Sequence, residues 1–103
     1  MFIYLIQNQD HTKIGISENV DKRLKQLQTG SAGTLSIKKR IKVNSDFGYK
    51  IESILHKIFS DKRTNGEWFD LAEKDIDRIE SLCEKYEKIL TFIKSHSTLK
   101  NYD

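Results

Sequence analysis

Apolar and polar residues alternate twice near the start of the chain, and then the period changes. "FIYLIQN", Phe2 to Asn8, has the β-branched and aromatic content of a strand, "QNQD" punctuates it as a tight turn, and "TKIGIS" resumes a second strand. Val20, Leu24 and Leu27 then recur at i, i+4 and i+7, the spacing of one helical face. Asn19 is placed to cap that helix, with Asp21 near its positive end, and Lys22, Arg23 and Lys25 fall on other faces. "TGSAG", residues 29–33, interrupts the pattern as a loop. Period two returns through Leu35, Ile37, Ile41 and Val43 and predicts a third strand, although the Lys38-Lys39-Arg40 run blurs it. Beyond a turn near Asn44-Ser45, Ile51, Ile54, Leu55, Ile58 and Phe59 predict a second helix. "DKRTNGEWF" reads as a loop, and a final amphipathic helix should run from about Asp70 to beyond Leu90.

The order β-β-α-β-α-α predicts an α/β domain of the α+β kind, a small three-stranded antiparallel sheet flanked by helices with a long C-terminal helix. A short turn between the first two strands makes antiparallel pairing the simplest connection. Residues 1–71 would form the core, and residues 72–103 a helix that packs on it or pairs in a homodimer. The length of 103 residues suits one domain, and 37% hydrophobic with 32% charged residues argues against pervasive disorder. No apolar run approaches the roughly 20 residues of a membrane span. "MFIYLIQNQD" lacks the basic leader of a secretory signal. The single cysteine, Cys83, permits no internal disulfide and reads as a small buried hydrophobe in a reducing compartment. A net charge of +3 is compatible with a nucleic-acid partner without establishing one.

Candidate chemistry gathers at a few positions. Tyr4 and Lys13 lie on strands expected to pair, Gly15 would permit close approach of a helix, and Arg23 follows on that helix. Together they would set a hydroxyl and two cations around a phosphate. Glu52 and His56, four apart, share one side of the second helix. Such a carboxylate can bind a hard divalent ion while the imidazole orients water or moves a proton; a surface Glu beside an interfacial His is the plainer alternative. Lys38, Lys39 and Arg40, with Lys42 and Lys50, offer either a path for a nucleic-acid backbone or a lysine-protected strand edge. Trp68 and Phe69 are expected to bury against the last helix rather than stack on a base. The stripe Ile76, Ile79, Cys83, Tyr86, Leu90 and Ile93, widened by Leu82 and Ile89, suits packing across the domain, with its end free for a second copy. "STLKNYD" should fray.

"FIYLI", "TKIGIS", "VDKRLKQLQ", "IESILHKIFSDKR" and "GEWFDL" follow one another in an order that resembles the GIY-YIG nuclease superfamily. More narrowly the chain resembles its phage T5 ORF172-type branch, in which KIG, E-x-x-x-H and GEWF-like blocks recur. The resemblance spans roughly residues 2 to 71. Phe2 to Tyr4 is similar to the GIY block with its tyrosine kept, and Lys13 to Gly15 is similar to the YIG block with lysine replacing tyrosine. Arg23 falls at the phosphate-contacting arginine, Glu52 at the metal-binding glutamate, and His56 at a histidine of this branch. Phe2 replaces the glycine of the first block, and two further positions depart. Glu67 stands where many relatives have asparagine, and Leu27 where many have His or Tyr.

The resemblance implies a metal-dependent endonuclease that hydrolyses phosphodiester bonds of nucleic acid, usually DNA, with one Mg2+ or Mn2+. In that scheme Glu52 holds the ion, Lys13 and Arg23 clamp the phosphate, and Tyr4, acidified by its cationic surroundings, activates water. His56 shares proton transfer or orients Glu52. The branch further implies a bacterial cytoplasm or a phage-infected cell. An inactive nucleic-acid-binding module and a small interaction protein working through its last helix are the competing readings.

Overall fold

A computed structural model describes residues 1–96; the segment expected to fray, residues 97–103, lies outside them. The first two strands form as the alternation predicts, β1 at Phe2–Gln7 and β2 at Thr12–Ser17. Helix α1 spans Val20–Thr29, and the Asn19 side chain caps it by accepting from the Lys22 amide at 3.1 Å. Strand β3 covers Ser36–Lys42 and helix α2 Gly48–Ile58. A single 3-10 turn at Ser60–Lys62 leads into β4 (Arg63–Asn65) and β5 (Trp68–Phe69), before helix α3 at Glu73–His96. Among the described residues no helix is long and apolar enough to cross a membrane.

The sheet has five strands rather than three, in the order β3-β1-β2-β5-β4, every pairing antiparallel. The two additional strands occupy the segment the sequence presents as a loop. With three and two residues they are too short to display a period. Their signal is the two-residue connection Gly66-Glu67, in which Gly66 takes φ 56°, a conformation glycine adopts without strain.

Strand pairing sorts the apolar residues onto two faces. Ile3, Leu5, Ile14 and Phe69 join Ile51, Leu55 and Phe59 of α2 and Ile76, Ile79 and Cys83 of α3 in the main core. Tyr4, Ile6, Val20 and Leu35 form a smaller core beneath α1, joined at its edges by Leu24, Leu27, Ile37 and Trp68. A register shift in β3, opposite Leu5 and Ile6, explains why alternation blurs there. Before it Ile37 faces α1; after it Ile41 faces α2 and α3. An extra residue in one strand moves all later side chains to the other face. Trp68 lies on the α1 face, not against the last helix as expected, because its neighbour Phe69 takes the opposite face. The first half of α3 is anchored in the core, whereas Ile89, Phe92 and Ile93 are 40%, 63% and 53% exposed.

Close helix approach occurs at Gly48 rather than Gly15. A Cβ at Gly48 would run into the side chains of Ile16 and Met1, so its absence lets the start of α2 settle on β2. Gly15 serves a neighbouring strand instead. It pairs with Tyr4 across β1 and β2, and a Cβ there would overlap Cζ and the hydroxyl of the Tyr4 ring. Because Tyr4 is 1% exposed, its ring has nowhere to retreat. Gly15→Ala should therefore lower unfolding free energy by about 1–3 kcal/mol, the usual cost of overpacking. Chemical denaturation would measure it, and in the Tyr4→Ala background the penalty should largely disappear because the obstructing ring is gone.

Candidate active site

Five segments bring chemistry to the edge of β2 that faces away from β1. Strand β5 pairs with this edge only at Thr12 and Lys13. At Ile14 the ladder has run out, yet both backbone groups remain occupied. The Ile14 amide donates to the Glu67 carbonyl at 3.1 Å, and the Ile14 carbonyl accepts from His56 Nε2 at 2.9 Å. With a carbonyl as partner Nε2 must carry the proton, so Nδ1 is the nitrogen left to accept a proton or a cation. The imidazole also packs on Phe69, with ring centroids 5.1 Å apart.

Glu52 stands one helical turn before His56 on α2, whose buried Ile51 and Leu55 fix its rotation on the sheet. Ligand atoms of Glu52, His56 and Glu67 all lie within 4.8 Å of one another. Lys13 is 7% exposed and reaches towards the same group, its Nζ 3.6 Å from a Glu67 carboxylate oxygen and 5.8 Å from the Trp68 ring centroid. Glu67, whose identity departs from the asparagine of many relatives, thus sits inside the cluster. Its only sequence signals are its distance of fifteen residues from Glu52 and its place in the Gly66-Glu67 turn.

On the α1 face, Arg23 approaches the Tyr4 hydroxyl. Burial pushes that hydroxyl above its ordinary pKa; hydrogen bonding and charge from Arg23 pull it down, while Glu67 and Glu52 push it further up. The expectation that cations acidify Tyr4 is therefore reversed in the protein alone. Arg23 acts in the expected direction, but desolvation in the small core outweighs it. The Glu52 carboxyl is pushed up to about 7, first by burial and then by Glu67, with Lys13 opposing. Tyr4, Arg23, Lys13, Glu52 and Glu67 thus form one electrostatic unit, and His56 adjoins it.

Other candidates lie elsewhere. Lys38, Lys39 and Arg40 occupy β3, at the far edge of the sheet with β1 between them and β2. Each stands beside a carboxylate: Lys38 with Glu73 at 3.2 Å, Lys39 with Glu80 at 3.8 Å and Arg40 with Asp21 at 3.0 Å. Leu27 packs at the margin of the small core. Cys83 is buried, and its thiol is pushed up to about 12 by burial, then by Glu87 and Glu80, consistent with an inert core residue.

Two carboxylates and an imidazole make a plausible set for Mg2+ or Mn2+, the imidazole favouring the latter, and a cation would relieve the repulsion between Glu52 and Glu67. A backbone carbonyl holding the second imidazole nitrogen is the usual support for a ligating histidine. The Glu52 shift carries a sign that can be checked. Its folded pKa of about 7 exceeds its ordinary value of 4.5, so the folded state holds the proton more tightly. The associated stabilisation is full below about 4.5 and is lost as pH rises through 7. Glu52→Gln should therefore raise the melting temperature of metal-free protein at pH 8 and change it little at pH 4.5. Thermal melts in chelator at both pH values would measure this, and an equal shift at both would contradict it.

Searches among curated proteins and among solved structures return no match. The T5orf172 domain model matches residues 1–84, from β1 into the anchored half of α3. That family is associated with GIY-YIG-like nucleases, which points to a nuclease-like or DNA-related function. With the match covering most of its length, the chain belongs to the T5orf172 domain family.

Proposed function

We propose that the protein is a metal-dependent endonuclease that hydrolyses DNA phosphodiester bonds at the β2 edge. The observation that carries this reading is the convergence of Glu52, His56 and Glu67 within 4.8 Å of one another, beside Lys13 and in one electrostatic unit with Tyr4 and Arg23. Carboxylates that repel each other in a half-buried site favour a cation, and the neighbouring Lys and Arg favour a phosphate.

When bound, Mg2+ or Mn2+ supplies positive charge to the phosphate oxygens and the leaving oxygen. Glu52 is the principal ligand in this proposal, joined by Glu67 and His56 Nδ1. Arg23 contributes a planar fork matched to two phosphate oxygens, and Lys13 contributes a compact charge as negative charge grows on those oxygens. Tyr4 Oη, as the phenolate left once its own proton has passed to solvent, accepts a proton of the attacking water. Its raised pKa makes that step depend on Arg23, which lowers the cost of the phenolate. His56, with Nε2 committed to the Ile14 carbonyl and Nδ1 turned to the ion, would hold and orient the site rather than carry a proton.

Labelled duplex, single-stranded and branched DNA incubated with Mg2+, Mn2+ or EDTA tests the proposal. Cutting should require metal and vanish in folded Glu52→Ala protein. Arg23→Ala should slow it by roughly 10²–10³-fold. Tyr4→Phe should slow it by roughly 10²–10⁴-fold, the range of a lost acid–base group. Near-normal cutting by Tyr4→Phe would remove Tyr4 as base. Retained binding without cutting on any substrate would make the chain a nucleic-acid-binding module instead.

A further inference from the structure

Beside the cation pair lies a groove that the phosphodiesterase chemistry does not use. It is walled by the end of α1 and the Gly30–Ala32 loop, with a volume of about 490 Å3. Leu27, the buried Leu35 and the half-buried Trp68 give it apolar surface; Asn8 and Gln26 give it polar surface. This size falls within the roughly 300–1,000 Å3 of small-ligand sites, and a flat heteroaromatic ring needs such a mixture of walls and a few polar groups.

Both phosphate-directed cations touch residues of this groove. Lys13 Nζ lies 5.8 Å from the Trp68 ring centroid, and Arg23 Nη1 donates to Gln26 Oε1 at 3.3 Å. An anion held by Lys13 and Arg23 therefore has an apolar, partly aromatic groove next to it. The polar groups also have a direction. Asn8 commits its Oδ1 to the amides of Asp10 and His11, and Gln26 commits its Oε1 to Arg23. Each is left with an NH2 group to donate, suited to the carbonyl oxygens and ring nitrogens of a nucleobase edge.

We propose that this groove receives an unpaired nucleobase of the strand whose phosphate lies against Lys13 and Arg23, with Trp68 as the stacking surface. Bases in a duplex are already stacked and paired, whereas a base in a single strand, flap or bulge is free to enter. Charge holds the backbone without regard to sequence, and the ring held beside it makes the site respond to strand structure. The inference deepens the phosphodiesterase reading and takes its ligand class from it.

Trp68 is the only tryptophan in the chain, so intrinsic fluorescence reports on the groove directly. The full-length protein would be titrated in EDTA, where metal-dependent cutting is suppressed, with a short single-stranded DNA, its fully paired duplex and an abasic strand of equal charge. The intact single strand should quench Trp68, and it should bind at least about fivefold more tightly than the abasic strand, as loss of stacking requires. Trp68→Leu should abolish that preference in an anisotropy assay with labelled strands. Equal affinity for intact and abasic strands, equal quenching by duplex, or no binding would overturn the proposal, and the wild-type titrations decide this even if the variant fails to fold. Cutting is measured separately in Mg2+ or Mn2+. Base-dependent quenching without cutting leaves the groove standing and removes the nuclease reading; cutting without base dependence does the reverse.

Discussion

Buried backbone groups must be paired, and at Ile14 that requirement organises the site. Strand β5 supplies ladder partners to β2 for only two residues, so the next amide and carbonyl on that edge need others. The turn between β4 and β5 satisfies one with the Glu67 carbonyl, and α2 satisfies the other with the His56 ring. One residue thereby ties a hairpin turn and a helix to the strand that carries Lys13. A longer β5 would have filled this edge and left no room for the acidic cluster. The short strand is what allows a polar cluster to exist beside an apolar core.

That arrangement places like charges close together. Burial and Glu67 together lift Glu52 to about 7, and Lys13 only partly opposes them. A structural surface would separate such groups or neutralise them with more partners. Holding them together costs the fold stability, a cost that the proposed cation would relieve. Tyr4 experiences the same tension. Its ring is fixed across Gly15, where burial and the two carboxylates hold its proton on and Arg23 opposes them. The hydroxyl is thus fixed in position before it is tuned in acidity.

Much of the fold was legible because its larger elements repeat a period long enough to recognise. The hairpin of β1 and β2, the Asn19 cap and the apolar stripes of α2 and α3 all reflect local rules. The strands β4 and β5 were not legible, since five residues around a glycine turn contain too few positions for alternation to show. The shift within β3 hid for a related reason: an inserted residue converts one alternating strand into two half-patterns of opposite phase. Trp68 and Phe69 were read as one apolar pair, but adjacent strand residues face opposite ways, and each belongs to a different core. At the site, family blocks brought Tyr4, Lys13, Arg23, Glu52 and His56 into consideration. Glu67 entered only as a departure, because nothing local reveals that a turn residue folds back towards a helix fifteen residues earlier.

Lys13 and Glu67 also acquire a common explanation. Considered separately, each alters the charge of the candidate site. In the folded chain they lie 3.6 Å apart, so one adds a positive charge where the other adds a negative one. The two form an ion pair, so together they leave the summed charge of the site unchanged. The pairing is not chemically silent, because Lys13 is almost completely buried whereas the Glu67 side chain is 44% exposed. An unpaired buried ammonium would be costly, so Glu67 supports Lys13 while nothing is bound. A cation at Glu52 and Glu67 together with a phosphate near Lys13 would reassign both charges at once. Lys13 and Glu67 therefore make a compensated pair, able to exchange an internal partner for an external one.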